Sequence, residues 1–299
     1  MKKFIALLLA MLMVMSLVAC GAKEEVVEDV TEEVVEETEE VTEETEEVVE
    51  ETEETVDSDL AYITENGKML VGITIYEPMN YYDEDGTLTG FDTEFAQAVC
   101  DKMGLAAEFV EINWDTKEVE LAAKSIDCIW NGMTITEDRL AAMSISDPYV
   151  KNAQVIVVKA DSELAATADL VGKTVVAEMG SAGEAQITGE EANADLAQAE
   201  YVGLAKQTDC LMEIKAGTAD AAVLDWTLAK SMVGEGTDFS DLAVMDGVEL
   251  ATEEYGIAFR QGSDVTEAVN AAIAELVADG TLPALAEKYG LALAPAIAG

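Results

Sequence analysis

The chain has 299 residues and a formal net charge of −46, from 62 Asp and Glu against 16 Lys and Arg, with no histidine. So acidic a surface repels phosphates, which excludes nucleic acid as a partner, and it excludes a basic amphipathic membrane helix. Without histidine, Ser-His-Asp and Cys-His catalysis are impossible and the usual zinc sites are disfavoured.

Lys2 and Lys3 precede an apolar run from Phe4 to Leu17 whose only polar member is Ser16. That run is short for a bilayer span and suits the apolar region of an export signal. Leu17-Val18-Ala19-Cys20-Gly21 follows it and resembles the lipobox of bacterial lipoproteins. The resemblance implies a signal peptide over 1–19, cleavage before Cys20, and acyl chains such as palmitate on the new N-terminal cysteine. Those chains would anchor the protein to the membrane.

Residues 24–59 hold 20 acidic residues and no basic one, and use almost only Glu, Val and Thr. Val27, Val34, Val41 and Val48 recur every seven residues, as one seam position of a coiled coil would. The second seam position is mostly Glu, however, and Val and Thr are poor helix formers. A disordered acidic linker over 20–59 is the favoured reading. It is a solvated tether with a mean reach of roughly 30–35 Å, longer under self-repulsion.

The remaining chain alternates strand and helix signals. Lys68–Ile75 reads as a strand. Asp92–Met103 has helical spacing ended by Gly104. Ala107–Ile112 reads as a strand, Glu118–Ser125 as a helix, Ile126–Trp130 as a buried strand and Thr136–Ala142 as a helix capped by Thr136. The rhythm restarts with strands at Val155–Val158 and Thr174–Ala177, helices from Ser181 and over Gln207–Ala216, and a strand at Ala221–Leu224. A helix over Trp226–Met232 and a strand at Tyr255–Phe259 follow, then two helices ending near Tyr289. This order predicts an α/β protein with mostly parallel sheet, and the length suits two lobes.

Five segments in order carry a resemblance. They are Tyr76-Glu77-Pro78 with Asp83 to Asp92; Gly132-Met133-Thr134-Ile135-Thr136-Glu137-Asp138-Arg139 with Ser146-Asp147-Pro148-Tyr149; Gly180-Ser181-Ala182-Gly183-Glu184; Asp220 to Asp225; and Tyr255-Gly256-Ile257-Ala258-Phe259. Over residues 62–290 the chain resembles the type 3 solute-binding proteins, the polar amino-acid receptors of ABC importers. The resemblance implies a two-lobed periplasmic-binding-protein-like (type II) fold, hinged like a Venus flytrap. Crossings would fall near Tyr149–Ala153 and Ala251–Tyr255. Lobe 1 would comprise 60–153 and 251–299, and lobe 2 would comprise 154–250. The function implied is capture of an L-amino acid for a membrane permease with its own ATPase, by a monomer tethered through Cys20 outside the cytoplasmic membrane. No cofactor, metal or catalytic residue is called for.

The site residues follow from chemistry and resemblance together. Arg139 and Arg260 are the only arginines. A planar guanidinium holds a carboxylate through two parallel hydrogen bonds, which lysine cannot do. The resemblance gives Arg139 the ligand α-carboxylate, while Arg260, at a strand end, is read as structural. Thr134 offers a hydroxyl and Gly132 a close backbone approach. Ser181 and Ala182 stand where a helix N-terminus presents free N–H groups. Asp225, at the carboxyl end of a strand, takes the α-ammonium. Tyr76 and Trp114 are the aromatics expected to pack on the ligand side chain, and Trp130 is expected in the core. Glu178 would favour a cationic or amide-bearing ligand, whereas Ile73 removes an acid found in basic amino-acid receptors.

Cys100, Cys128 and Cys210 read as buried free thiols, with a Cys100–Cys128 disulfide left open. Two other functions stay open: a dehydratase-like enzyme on the same scaffold, and a structural or sensory surface lipoprotein.

Overall fold

The structure is a computed structural model and describes residues 58–298. The signal peptide, Cys20 and the acidic segment through residue 57 lie outside the described residues. In chain order the elements are α1 (Asp59–Asn66), β1 (Lys68–Ile73), β2 (Tyr81–Tyr82), β3 (Leu88–Thr89), α2 (Phe91–Met103), β4 (Ala106–Glu111), α3 (Lys117–Ala122), β5 (Cys128–Thr134), α4 (Glu137–Ala142) and β6 (Ser144–Ile145). Then come β7 (Val150–Lys159), β8 (Thr174–Glu178), α5 (Ala182–Thr188), β9 (Glu200–Leu204), α6 (Gln207–Ala216), β10 (Ala221–Asp225), α7 (Trp226–Met232), β11 (Leu242–Phe259), α8 (Val265–Ala278) and α9 (Thr281–Tyr289).

Local chemistry sets several boundaries. Gly104 ends α2 at φ 72°, its N–H bonded to the carbonyls of Cys100 and Asp101. Such a left-handed stop suits glycine because it has no Cβ to clash. Thr136 caps α4 by accepting the Arg139 N–H at 3.2 Å. The acidic linker, expected through Asp59, stops earlier. Ser58 Oγ accepts the Ala61 N–H, and the Asp59 carboxylate meets Arg260 Nε at 2.8 Å, so both residues belong to α1. Strand β9 has no apolar run to announce it, because its residues are exposed or half-buried at the sheet edge.

The sheet order is β4-β1-β5-β11-β7-β10-β8-β9, with β6 beside β11. Neighbours are parallel in β4-β1-β5 and in β10-β8-β9. The expectation of a mostly parallel sheet holds inside each triad and fails at the junction, where β5-β11, β11-β7 and β7-β10 are all antiparallel. The reason is the length of β7 and β11, ten and 18 residues, which lets both strands serve both triads. They pair Val150 with Tyr255, Asn152 with Glu253 and Gln154 with Ala251. Beyond a register shift they pair Lys159 with Leu242. The chain is thus two-lobed, with paired strands running between the lobes.

One apolar cluster draws on both triads, joining Phe95 and Trp130 to Val157, Ala222 and Leu224. Phe91, Phe95, Trp130 and Tyr149 are fully buried together, Phe95 meeting Trp130 edge-on at 5.0 Å between centroids. Ile156, Val175 and Val223 centre another cluster. Cys100, Cys128 and Cys210 are free and buried, which settles the open disulfide. Burial pushes the Cys100 thiol up to about 12, so it stays protonated.

Arg260 ties α1 to the sheet. Besides Asp59 it reaches Asp127 at 3.4 Å and donates to the carbonyls of Ile126 and Leu121. Burial works against the Asp59 charge, but the hydrogen bond and charge of Arg260 outweigh it and hold the carboxyl below its ordinary value. Replacing Arg260 by Leu strands the buried Asp127 carboxylate, which is 3% exposed. The expected loss is about 3–5 kcal/mol in urea unfolding; an unchanged midpoint would contradict this role.

Candidate functional site

The junction strands bring polar side chains to one place. Asn152 and Gln154 share a face of β7, because side chains alternate along a strand. Asp225, the last residue of β10, pairs with Gln154 in register. Its carboxylate accepts from Asn152 Nδ2 at 2.6 Å, from Gln154 Nε2 at 2.7 Å, and from Gln207 Nε2. Asp225 stands at the N-cap of α7, yet its side chain caps no helix N–H and turns to these amides instead.

The same amides hold a second acid. Glu253 of β11 accepts from Asn152 at 2.6 Å, Gln154 at 2.9 Å and Thr134 Oγ1 at 2.9 Å. Burial raises the Asp225 carboxyl above its ordinary range. Burial and then the charge of Asp225 push Glu253 up to about 7. Glu178, buried at the end of β8, is pushed up to about 8 by burial and Asp225. Among the described residues none of these three carboxylates makes an ion pair.

Two cations stand nearby, on α3 and α4. Arg139 of α4 is buried and donates from Nη1 to the Thr134 carbonyl at 2.7 Å and from Nη2 to the Gly180 carbonyl at 3.1 Å. Two of its five N–H donors are thereby used. Lys117, also buried, donates to the same Gly180 oxygen at 3.0 Å and to Trp114 O at 3.2 Å. Burial and the Arg139 charge lower Lys117 to about 8. Among the described residues neither cation makes an ion pair. Both line a cavity of about 750 Å³ that continues to Gly180, Ser181, Ala182 and Glu184.

A hydroxyl cluster stands beside Asp225. Tyr76 Oη lies 2.7 Å from Tyr255 Oη and also contacts Thr227 Oγ1, which lies 2.9 Å from Tyr255 Oη. Gly132 sits at φ 55°, and a Cβ there would lie 2.6 Å from the Tyr76 ring and 3.1 Å from the Tyr255 ring. Glycine is therefore required by these rings, while the Gly132 N–H goes to Asp92 Oδ2 at 2.7 Å. Burial pushes that Asp92 carboxyl up to about 7.

The structure thus brings together Tyr76, Thr134, Arg139, Glu178 and Asp225. Ser181 caps α5 by accepting the Glu184 N–H at 3.0 Å, with Ala182 as the first helical residue. Trp114 is placed differently from expectation. Its ring packs in an apolar cluster with Leu121, Ile126 and Met133, and Lys117 Nζ lies over it at 4.9 Å. Sequence reasoning missed Lys117, Asn152, Gln154, Gln207, Thr227 and Glu253. Asn152 and Glu253 carried a signal, because they fall within the predicted crossings over Tyr149–Ala153 and Ala251–Tyr255.

A sequence model of the bacterial extracellular solute-binding proteins, family 3, matches residues 69–292. The L-cystine-binding protein TcyJ of Escherichia coli (strain K12) is 34% identical over 231 residues, covering 76% of this chain and 84% of that protein. Among solved structures, holo ArgBP from T. maritima has a TM-score of 0.66 at 35% identity, covering 77% of this chain and 99% of that one. An ABC uptake transporter substrate binding protein from Streptococcus pneumoniae with bound histidine has a TM-score of 0.69 at 28% identity, covering 79% and 97%.

The buried acids set a pH dependence. A raised carboxyl means that the folded state holds protons the unfolded state has lost, so stability falls as pH rises between the two values. Glu178 acts in this direction from pH 4.5 to about 8, Glu253 from 4.5 to about 7 and Asp92 from 3.8 to about 7. Ligand-free protein is expected to lose melting temperature steadily from pH 5 to 7.5. A flat or rising profile would contradict the raised carboxyls of these buried acids.

Proposed function

Since this chain belongs to family 3 of the bacterial extracellular solute-binding proteins, we propose that it captures an L-amino acid between its lobes and delivers it to the transmembrane subunits of an ABC permease, whose ATPase supplies the energy. Lobe 1 comprises 60–153 and 251–299, and lobe 2 comprises 154–250. The observation that supports the reading is that buried Arg139 and Lys117 stop on the Gly180 carbonyl while buried Asp225 and Glu253 are held by neutral amides, with no ion pair to either set among the described residues. A zwitterion completes both. Arg139 takes the α-carboxylate, supported by the Ala182 N–H; the Thr134 hydroxyl and the Ser181 N–H join it by leaving Glu253 and the Glu178 carbonyl, to which they donate in the ligand-free chain. Asp225 takes the α-ammonium, because its amide neighbours fix its oxygens without neutralising its charge.

Tyr76 packs on the ligand beside Asp225, and Gly132 permits that ring position. Trp114 contributes through the wall it forms beneath Lys117, and Glu178 adjusts preference toward ligands carrying a further cation. Because the ligand touches both lobes, it binds the closed form better than the open one and shifts the population toward it. Cys20 carries the lipid anchor, and the acidic segment holds the monomeric lobes clear of the outer face of the cytoplasmic membrane. The chain is a receptor rather than an enzyme: Arg139 and Asp225 are accounted for by holding a zwitterion, and the similar proteins TcyJ and ArgBP are binding proteins.

A calorimetric screen of the twenty amino acids against the mature protein tests the reading. At least one is expected to bind, and Arg139→Ala should weaken it by about 2–5 kcal/mol, because the ligand carboxylate is then buried unpaired. Wild-type affinity in Arg139→Ala, or turnover of a prephenate-like acid, would contradict it.

A further inference from the structure

Helix α7 follows directly on Asp225, and its Leu228 and Ala229 are buried in the same cluster as Leu224. Its polar residues reach the other way. Ser231 Oγ donates to Glu77 Oε1 at 3.0 Å, and Lys230 Nζ donates to the Gly290 carbonyl at 2.8 Å. Thr227 Oγ1 contacts Tyr76 Oη. The spacing i, i+3, i+4 sets Thr227, Lys230 and Ser231 on one side of the helix. Helix α7 lies within 154–250, while Tyr76, Glu77 and Gly290 lie within 60–153 and 251–299.

The partners are held by their own surroundings. Glu77 follows Tyr76, whose N–H donates to the Asn80 carbonyl at 2.7 Å. Gly290 ends α9, and the next N–H, of Leu291, returns to the Ala286 carbonyl at 2.9 Å. None of these partners is on β7 or β11, the strands that run between the lobes. A rotation about those strands therefore carries α7 away from Glu77 and Gly290 together. The bridges to Gly180 use Arg139, which the ligand carboxylate also claims. Glu77, Lys230, Ser231 and Gly290 are outside the set that holds the zwitterion. Each of their two hydrogen bonds has one charged member, which makes it of the stronger kind.

We propose that this side of α7 is a closure clasp, with Lys230 and Ser231 as positioning residues that stabilise the closed lobes without touching the ligand. The clasp sets how long a captured ligand is retained, and by one factor for every ligand, because its contacts are within the protein. The proposal rests on the lobe division of the receptor reading and adds to it a part of closure that no ligand supplies.

The test is single-molecule energy transfer on the ligand-free mature chain carrying Cys20→Ser, with dyes on Glu108→Cys and Glu200→Cys. Those exposed positions are on β4 and β9, at opposite ends of the sheet order, and Cys100, Cys128 and Cys210 are buried. Loss of a contact made only in the closed form raises the open-to-closed ratio whatever its starting value. Lys230→Met combined with Ser231→Ala is expected to raise it roughly fivefold or more, and Ser231→Ala alone should act in the same direction. Lys215→Met is the control, because Lys215 Nζ donates to the Asp238 carbonyl at 2.6 Å within one lobe, and it should leave the ratio unchanged. An unchanged or lowered ratio in the double variant, or an equal rise in the control, would overturn the clasp. Any amino acid that binds should leave the double variant faster by a common factor, and acceleration for one ligand alone would overturn the ligand-independent role. Binding of no amino acid would overturn the receptor reading and still leave the ratio to decide the clasp.

Discussion

Asn152 and Gln154 each donate from one amide to two carboxylates, Asp225 and Glu253. That shared donation fixes two acids from different strands beside each other at the junction of the lobes. It depends on the antiparallel pairing of β7 with β11, which sets Asn152 opposite Glu253, and on β10, whose last residue pairs with Gln154. The amides satisfy hydrogen bonds but carry no charge. The acids therefore remain electrostatically unbalanced in a low-dielectric place, where ionisation is disfavoured.

The rest of the cleft answers that imbalance. Arg139 and Lys117 approach from the opposite side and stop on a carbonyl oxygen rather than on a carboxylate. A carbonyl is a good acceptor but a weak counter-charge. The cations are thus positioned and still able to bind an anion. Held charges of both signs, preorganised by neutral partners, favour a zwitterion over water because the ligand's charges need no new arrangement of the protein. The bridges from Lys117 and Arg139 to Gly180 tie α3 and α4 to the turn between β8 and α5.

Much of this was legible in the sequence, and the gaps have physical causes. Helix stops and caps are local, so Gly104 and Thr136 could be read from the residues around them. Arg139 stood out by scarcity, and Asp225 by its place at the end of an apolar strand. Lys117 could not be found that way: as the first residue of a short helix it looks like an ordinary surface lysine, and only the approach of Gly180 buries it. Asn152, Gln154 and Glu253 acquire meaning through strand register, which the antiparallel junction sets at long range. Trp114 shows the converse. The family resemblance suggested a ligand contact, whereas the neighbouring apolar residues of α3 and β5 pack against it. Of the acidic segment, Ser58 and Asp59 turned out to be a cap and an ion-pair partner, because Arg260 reaches back to them.

The central claim is that the cleft's buried acids lack counter-charge until a ligand supplies it. With Glu253 raised to about 7 and Glu178 to about 8, the free protein holds protons on these groups near neutrality. An arriving ammonium lowers both values and expels protons. The direct measurement is ligand binding at pH 7 by calorimetry in two buffers of different ionisation enthalpy. The account expects net release of roughly one proton per ligand. Equal heats in both buffers, meaning no proton exchange, would contradict it.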